Sequence, residues 1–406
     1  MSLKILHTSD WHLAHQWMGK SRLEEHRAFF DWLVHQVEVE APDALLVSGD
    51  LFDHGLPPHE VQGLYLESLL RLEQAGCKNI ILTAGNHDSV SFLDASKKLF
   101  EKLGIRVISK LSDRLEDHLL PIHNGDGKVL AQVMAFPYFR ERELRVLGSG
   151  GDIQSRHSEL LSAMSKIFKE LCELARKIND NIPLLAMAHF FAVGSSMGDS
   201  ERELYLGELE AVPLDELGES WDYLALGHLH RTQKVGGQEN VWYSGTPIPM
   251  SFSESPKPQN ILKVIFDDEK KPVVEKIEIP RFRDVFSLKC HPDQLEEKLL
   301  SLETSSTLNT WLELQLTARV AWDWVQNLIE KALEDKPVDV LAVKTVLENV
   351  VELDHKEEYD SLELLTPQSL FEQHLDELQL EAEAKAQLIG KFKSVCEELA
   401  EEGASF

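Results

Sequence analysis

Short apolar runs alternate with longer helical patterns along the first two-thirds of the chain. "LKILHTSD", "DALLVSGD", "NIILTAGNHD", "VLAQVMAFP", "PLLAMAHF" and "WDYLALGHLH" each hold a compact run of Leu, Ile, Val or Ala. Such runs predict strands buried on both faces. In five of the six the apolar run gives way to Ser, Gly, Asp, Asn or His. "RLEEHRAFFDWLVHQVEVE", "PPHEVQGLYLESLLRLEQAG" and "SRHSELLSAMSKIFKELCELARKI" space their apolar residues as helices do. Strand–helix–strand alternation predicts an α/β fold with the strands at its centre.

The rhythm changes near Pro280. "NILKVIFDDEKKPVVEKIEIP" alternates apolar and polar positions and predicts a closing hairpin, which sets a first domain over 1–280. From 281 to 348 the order strand, helix, strand, helix, strand ("FSLKCH", "DQLEEKLLSLE", "TWLELQLTARV", "AWDWVQNLIEKALED", "VDVLAVKTV") predicts a small α+β domain. An acidic linker is expected over 349–365. A helical tail over 366–406 opens on Thr366 and Pro367, an N-cap and first-turn pair. An amphipathic tail beyond a linker fits a partner's surface as well as its own domain.

Composition narrows this picture. The 406 residues exceed one ordinary domain. The four cysteines are scattered with no C-x-x-C pair, which argues against a zinc ribbon or a disulfide framework. No leader-like or membrane-length apolar run is present, so a cytoplasmic protein is expected. The formal net charge of -28 excludes a non-specific basic nucleic-acid binder. It does not exclude a nucleic-acid enzyme, because bound cations and local Lys or Arg can dominate one groove. From Val351 onward there are 15 acidic and 4 basic residues, so much of the acidity is terminal.

The candidate chemistry lies at the strand ends. In α/β sheets, ligands bind beyond the carboxyl ends of strands. Asp10 and His12, Asp50 and Asp53, the triplet Asn86, His87 and Asp88, then His189, and finally His228 and His230 all occupy that place. "GHLH" alone is a weak signal, but five segments ending in metal-type ligands are not. A pair of divalent cations about 3.5–4 Å apart needs a bridging carboxylate and a few N or O ligands each. Asp, His and an Asn carbonyl suit a hard-to-borderline ion such as Mn²⁺. Gly85 is expected to turn the chain sharply before Asn86.

In order, "SDWH", "GDLFD", "GNHD", "AHF" and "GHLH" resemble the calcineurin-like metallophosphoesterases. "LHTSDWHL", "VSGDLFD", "LTAGNHDS" and "YSGTPIPMSFSE" further resemble the double-strand-break repair nucleases of that superfamily, over about residues 1–280. The resemblance implies a four-layer β-sandwich of two mixed sheets flanked by helices, with a capping domain and a helical tail. It implies two Mn²⁺ ions, one held by Asp10, His12 and His230, the other by Asn86, His189 and His228, with Asp50 between them. Both residues of the dyad then need a local bend, which Gly227 would permit. His87 would protonate the leaving 3′ oxygen or steady the phosphate, and Asp88 would fix its tautomer. The implied activities are single-strand and hairpin endonuclease and 3′–5′ duplex exonuclease. The implied partners are DNA, an SMC-like ATPase bound by the tail, and a second copy of the chain.

One motif departs from the family. Archaeal and eukaryotic relatives end G-D-L-F-H in a phosphate-contacting His, where this chain has Asp53 and then His54. Asp53 is expected to orient a metal-binding imidazole instead. His15 and His54 remain candidates for the substrate phosphate, and Arg140, Arg142 and Arg145 for a groove. Ser244, Gly245 and Thr246 could present N–H groups near the site. Trp322 and Trp324 are expected to pack along their helix. Two rival readings stay open: a phosphoesterase for a nucleotide or phosphoprotein, although "GDLFDHG" lacks the Arg of phosphoprotein phosphatases, and a non-catalytic scaffold.

Overall fold

In the computed structural model, the described residues are 3–139, 153–196, 212–218, 220–267, 269–304 and 306–346, with 385, 388, 389, 391 and 392. The chain divides into two units, Met1–Leu347 and Glu348–Phe406. In the second, the described residues are helical. The expected linker at 349–365, the start of the tail and Arg140, Arg142 and Arg145 lie outside the described residues.

The first unit is built on two six-stranded mixed sheets. One holds β1 (Leu3–Thr8), β4 (Ala44–Ser48), β5 (Ile80–Thr83) and β6 (Ile105–Ile108) in parallel. A short antiparallel ribbon, β2 (Gln16–Trp17) with β3 (Lys20–Ser21), stands apart from it after β1. The antiparallel strands β13 (Asn260–Phe266) and β14 (Pro272–Glu278) extend the sheet beyond β1. In the other, β8 (Val129–Ala135), β9 (Leu184–His189), β10 (Tyr223–Gly227) and β12 (Val241–Tyr243) run parallel. It is edged by β7 (Leu119–His123) and β11 (Gln233–Lys234), both antiparallel to their neighbours. The six predicted strands are β1, β4, β5, β8, β9 and β10.

The sheets pack face to face through Ile5, Leu46, Ile81, Val133, Leu185, Met187 and Ala225, all buried. Helices α1 (Leu23–Glu40), α2 (His59–Gln74) and α3 (Val90–Glu101) cover the outer face of the first sheet through Phe29, Leu33, Leu69 and Leu93. The long α4 (Ile153–Ile178), with the one-turn α5 (Leu214–Leu217), covers the second through Met164, Phe168, Leu171 and Leu217. The central strands of each sheet are therefore covered on both faces, which is why they read as unbroken apolar runs rather than alternations. The result is four layers, helix–sheet–sheet–helix. Strand β6 and helix α3 escaped sequence reading: β6 is four residues long, and the start of α3 rests on one cap, Ser89 Oγ accepting from the Phe92 amide.

Residues from Arg283 form a three-stranded parallel sheet, β15 (Arg283–Cys290), β16 (Leu308–Leu316) and β17 (Val338–Thr345). Helices α6 (Leu295–Leu300) and α7 (Trp322–Leu333) share its core through Leu295, Leu299, Val325, Ala332 and Leu333. Trp322 and Trp324 do not pack as expected: they are 58% and 43% exposed, because they precede the apolar face on the first turn.

A buried ionic knot ties this sheet to the sandwich. Glu25 accepts from Arg22 Nε and Nη2 at 2.7 and 2.6 Å and from Arg283 Nε at 3.1 Å. The Trp311 ring lies 4.3 Å from the Arg283 guanidinium and 5.4 Å from that of Arg22. Removing one partner from a buried cluster leaves uncompensated charge. Glu25→Ala is expected to cost about 3–5 kcal/mol in urea unfolding. Glu24→Ala, exposed beside the same Arg283, should cost under about 1 kcal/mol. Equal effects would place the energy elsewhere.

Candidate metal centre

The carboxyl ends of β1, β4, β5, β9 and β10 converge on one edge. The two sheets touch there: Ser48 Oγ donates to the Ala225 carbonyl at 3.0 Å, and His189 Nδ1 donates to the Ser48 carbonyl at 2.9 Å. Two glycines make this approach possible. A Cβ on Gly227 would collide with the Ser48 carbonyl, and one on Gly85 with the Asp50 backbone and carboxylate. Both glycines therefore serve clearance rather than the sharp turns expected of them. The bends fall on the functional residues themselves: Asp10, His12, Asp50 and His228 have φ of 50°, 43°, 47° and 102°. Left-handed backbone at non-glycine residues costs of order 1–3 kcal/mol each and marks sites where surrounding structure enforces it.

All seven predicted ligand positions meet at this edge. Asp50 Oδ2 lies 3.2 Å from His189 Nε2 and 3.7 Å from His12 Nε2, while its Oδ1 accepts from the His87 amide at 3.0 Å. Asn86 Oδ1 is 3.0 Å from His189 Nε2. Asp10 accepts from the His228 amide at 2.9 Å and from Ser9 Oγ, which also meets Ser244 Oγ at 2.7 Å. The dyad divides: the His228 ring lies 5.2 Å from that of His189, and the His230 ring 5.1 Å from that of His12.

Electrostatics favour a cation here. Burial pushes Asp10 up to about 6, with the Asp50 charge adding to it and His189 opposing. Burial also works against Asp50, but His189, with His12 and His87, outweighs it and holds this carboxyl well below its usual range. His189 is driven the other way: burial lowers it, yet Asp50 raises it to about 9. Because its Nδ1–H is committed to a carbonyl, the extra proton sits on Nε2, facing Asp50 and Asn86, where a cation would take its place. Burial lowers His12 to about 4 and His228 to about 3, so both are neutral imidazoles with a lone pair to offer. Both ring nitrogens of His12 are buried with no hydrogen-bond partner among the described residues, Nδ1 only approaching the Asp53 carboxylate. Neutral imidazoles, crowded carboxylates and an orphaned ring nitrogen fit a divalent-metal site.

Asp53 gathers imidazoles around this site. Its Oδ1 lies 3.3 Å from His12 Nδ1 and 3.2 Å from His15 Nδ1, and its Oδ2 lies 3.1 Å from His54 Nδ1. The carboxylate therefore orients His12 through the nitrogen opposite Asp50. Burial raises the Asp53 carboxyl, but the close approach of His12 and His15 more than offsets this and holds it far below its usual range.

The role expected of Asp88 needs correction. His87 Nδ1 lies 2.9 Å from the main-chain carbonyl of Asp53, which can only accept, so this carbonyl sets the tautomer and leaves Nε2 for other work. The Asp88 carboxylate instead accepts from the amides of Leu51, Phe52 and Gly85 at 3.1, 3.0 and 2.8 Å. It shapes the loops that carry Asp50, Asp53 and Asn86. Thr246 also differs from expectation, since its N–H is spent on the His230 carbonyl at 3.1 Å. Sequence reading passed over Glu254, buried with Oε1 3.8 Å from His230 Nδ1; it stands 24 residues away in "MSFSES", with no spacing to mark it.

Four layers with a strand-end cluster of Asp, Asn and His define a metallophosphoesterase, a class that works with divalent metals. The family described as "Calcineurin-like phosphoesterase" matches residues 3–232, and "Type 5 capsule protein repressor C-terminal domain" matches 281–379. The chain is 32% identical over 404 residues to SbcD, the D component of nuclease SbcCD, from Escherichia coli (strain K12), covering 98% of this chain and 99% of that one. It is 37% identical over 259 residues to the protein of that name from Rhodobacter capsulatus, covering 62% and 64%. For the one from Bacillus subtilis the figures are 29% over 319 residues, covering 77% and 79%. The chain belongs to the SbcD family of calcineurin-like phosphoesterases.

Proposed function

We propose that the chain is a Mn²⁺-dependent DNA nuclease, an endonuclease on single strands and hairpins and a 3′–5′ exonuclease on duplex ends. It works with the SMC-like ATPase SbcC in DNA end processing, recombination and repair. The observation that carries the reading is Asp50, buried between His12 and His189 with the dyad divided around it. Asp10, His12 and His230 would hold one ion, and Asn86, His189 and His228 the other, with Asp50 shared. When bound, the two ions would activate water and polarise the phosphodiester. Asp53 keeps the His12 ring turned toward Asp50, and the Ser48 carbonyl does the same for His189. His87, its Nδ1–H held by a carbonyl, has Nε2 to deliver a proton to the leaving 3′ oxygen.

The tail from Thr366 would bind SbcC, and α2, with Leu66 and Leu70 partly exposed, is a candidate surface for a homodimer. One set of preparations tests all of this. With Mn²⁺, the full chain should cut hairpin and single-stranded DNA. Truncation before Thr366 should spare that cutting and abolish co-purification with SbcC. Sedimentation should give twice the chain mass of 46.1 kDa. Turnover of a small phosphodiester alone would overturn the nuclease reading.

A further inference from the structure

Beside the metal centre lies a cavity of about 310 Å³, lined by His230, Arg231, Thr232, Lys257, Asn260 and Lys276 among others. That volume is at the lower end of ligand-sized pockets, roughly 300–1,000 Å³. The cavity gathers three cations in a chain whose formal net charge is -28. Its carboxylate, Glu254, has Oε2 on the Met250 amide at 2.8 Å and Oε1 3.8 Å from His230 Nδ1. Arg231 has no ion pair or hydrogen bond among the described residues, and its Nε is fully buried. The residue as a whole is half-buried, and a buried N–H without an acceptor is costly until an anion arrives to take the planar fork. The base of the fork is rigid: the His230 carbonyl accepts from Thr246, Thr232 Oγ1 donates to the Ser244 carbonyl at 2.6 Å, and Asn260 Nδ2 donates to Thr232 Oγ1 at 3.3 Å.

We infer that this cavity is a phosphate subsite for the strand being cut, with Arg231 as its positioning residue. This rests on the nuclease reading above. Arg231 directly follows His230, so a phosphodiester gripped here neighbours the one on the ions. The grip registers the strand, placing one linkage in the site. Lys257 and Lys276 supply charge at the rim, where both are exposed.

The test is binding rather than turnover. Fluorescence anisotropy of a labelled single-stranded oligonucleotide is measured on the full chain in chelator, across a salt series. Arg231→Gln is expected to weaken binding about tenfold and to flatten the log K against log salt slope by about 0.7, one strand phosphate. Arg231→Lys should keep the slope and recover part of the affinity, which guards against a folding defect in the Gln variant. Oligonucleotides carrying one neutral methylphosphonate at successive linkages should weaken wild-type binding at one position that the Gln variant ignores. A wild type that binds and cuts DNA beside a Gln variant of equal affinity, slope and linkage profile overturns the subsite alone. A wild type that neither binds nor cuts overturns the nuclease reading and this one with it.

Discussion

Asp50→Asn is expected to lower Mn²⁺-dependent phosphodiester cleavage by about 10³-fold or more, the equivalent of ~4 kcal/mol in the transition state. The substitution keeps the shape of a buried side chain and removes its charge. That charge is the feature His12 and His189 both approach, at 3.7 and 3.2 Å. In the proposed two-ion arrangement its loss would remove the ligand both ions share, so metal content should fall toward none per chain. Mn²⁺ should also stop raising the melting temperature, since a ligand stabilises only in proportion to its affinity for the folded state. The dyad supplies the contrast. His228→Ala and His230→Ala should each leave about one ion per chain, because their rings lie beside different partners, His189 and His12. Elemental analysis after gel filtration reads all three variants. Full metal content in the Asp50→Asn variant would remove Asp50 from the shared position.

His87→Gln should behave differently. A loss of about 10²–10⁴-fold in kcat is expected, the usual range for a general acid, with both ions retained and KM little changed. Its ring touches the site without filling a ligand position in this reading: it sits 5.1 Å from the His12 ring, with Nδ1 on the Asp53 carbonyl. Glutamine preserves a donor but cannot give up a proton. A substrate with a better leaving group needs no protonation, so the defect should shrink on a p-nitrophenyl diester. A defect equally large on that substrate would point to charge stabilisation of the phosphate instead. Asp88→Asn should act on a different quantity. Its carboxylate binds three backbone amides of the loops that carry the ligands, so altered metal affinity rather than a lost proton donor is the expected signature.

Much of the fold was legible from one feature, the unbroken apolar strand. A strand covered on both faces has no reason to alternate, and six such runs separated by helical patterns specify an α/β sandwich. Their polar ends picked out the residues that meet at the shared edge, because side chains at strand ends escape the core. Beyond the motifs, the short strand β6, the three cations around one cavity and Glu254 left no periodic mark. The sequence by itself determined which residue types stand at the five strand ends, and with them the class of chemistry. Only the tertiary structure decided how they are held. Which carbonyl fixes the tautomer of His87, why Gly85 and Gly227 carry no side chain, and how Asp53 meets three imidazoles all depend on contacts between segments far apart in the chain. Spacing along a strand reports only its own neighbours. Clearance and hydrogen-bond direction arise where two sheets close on each other.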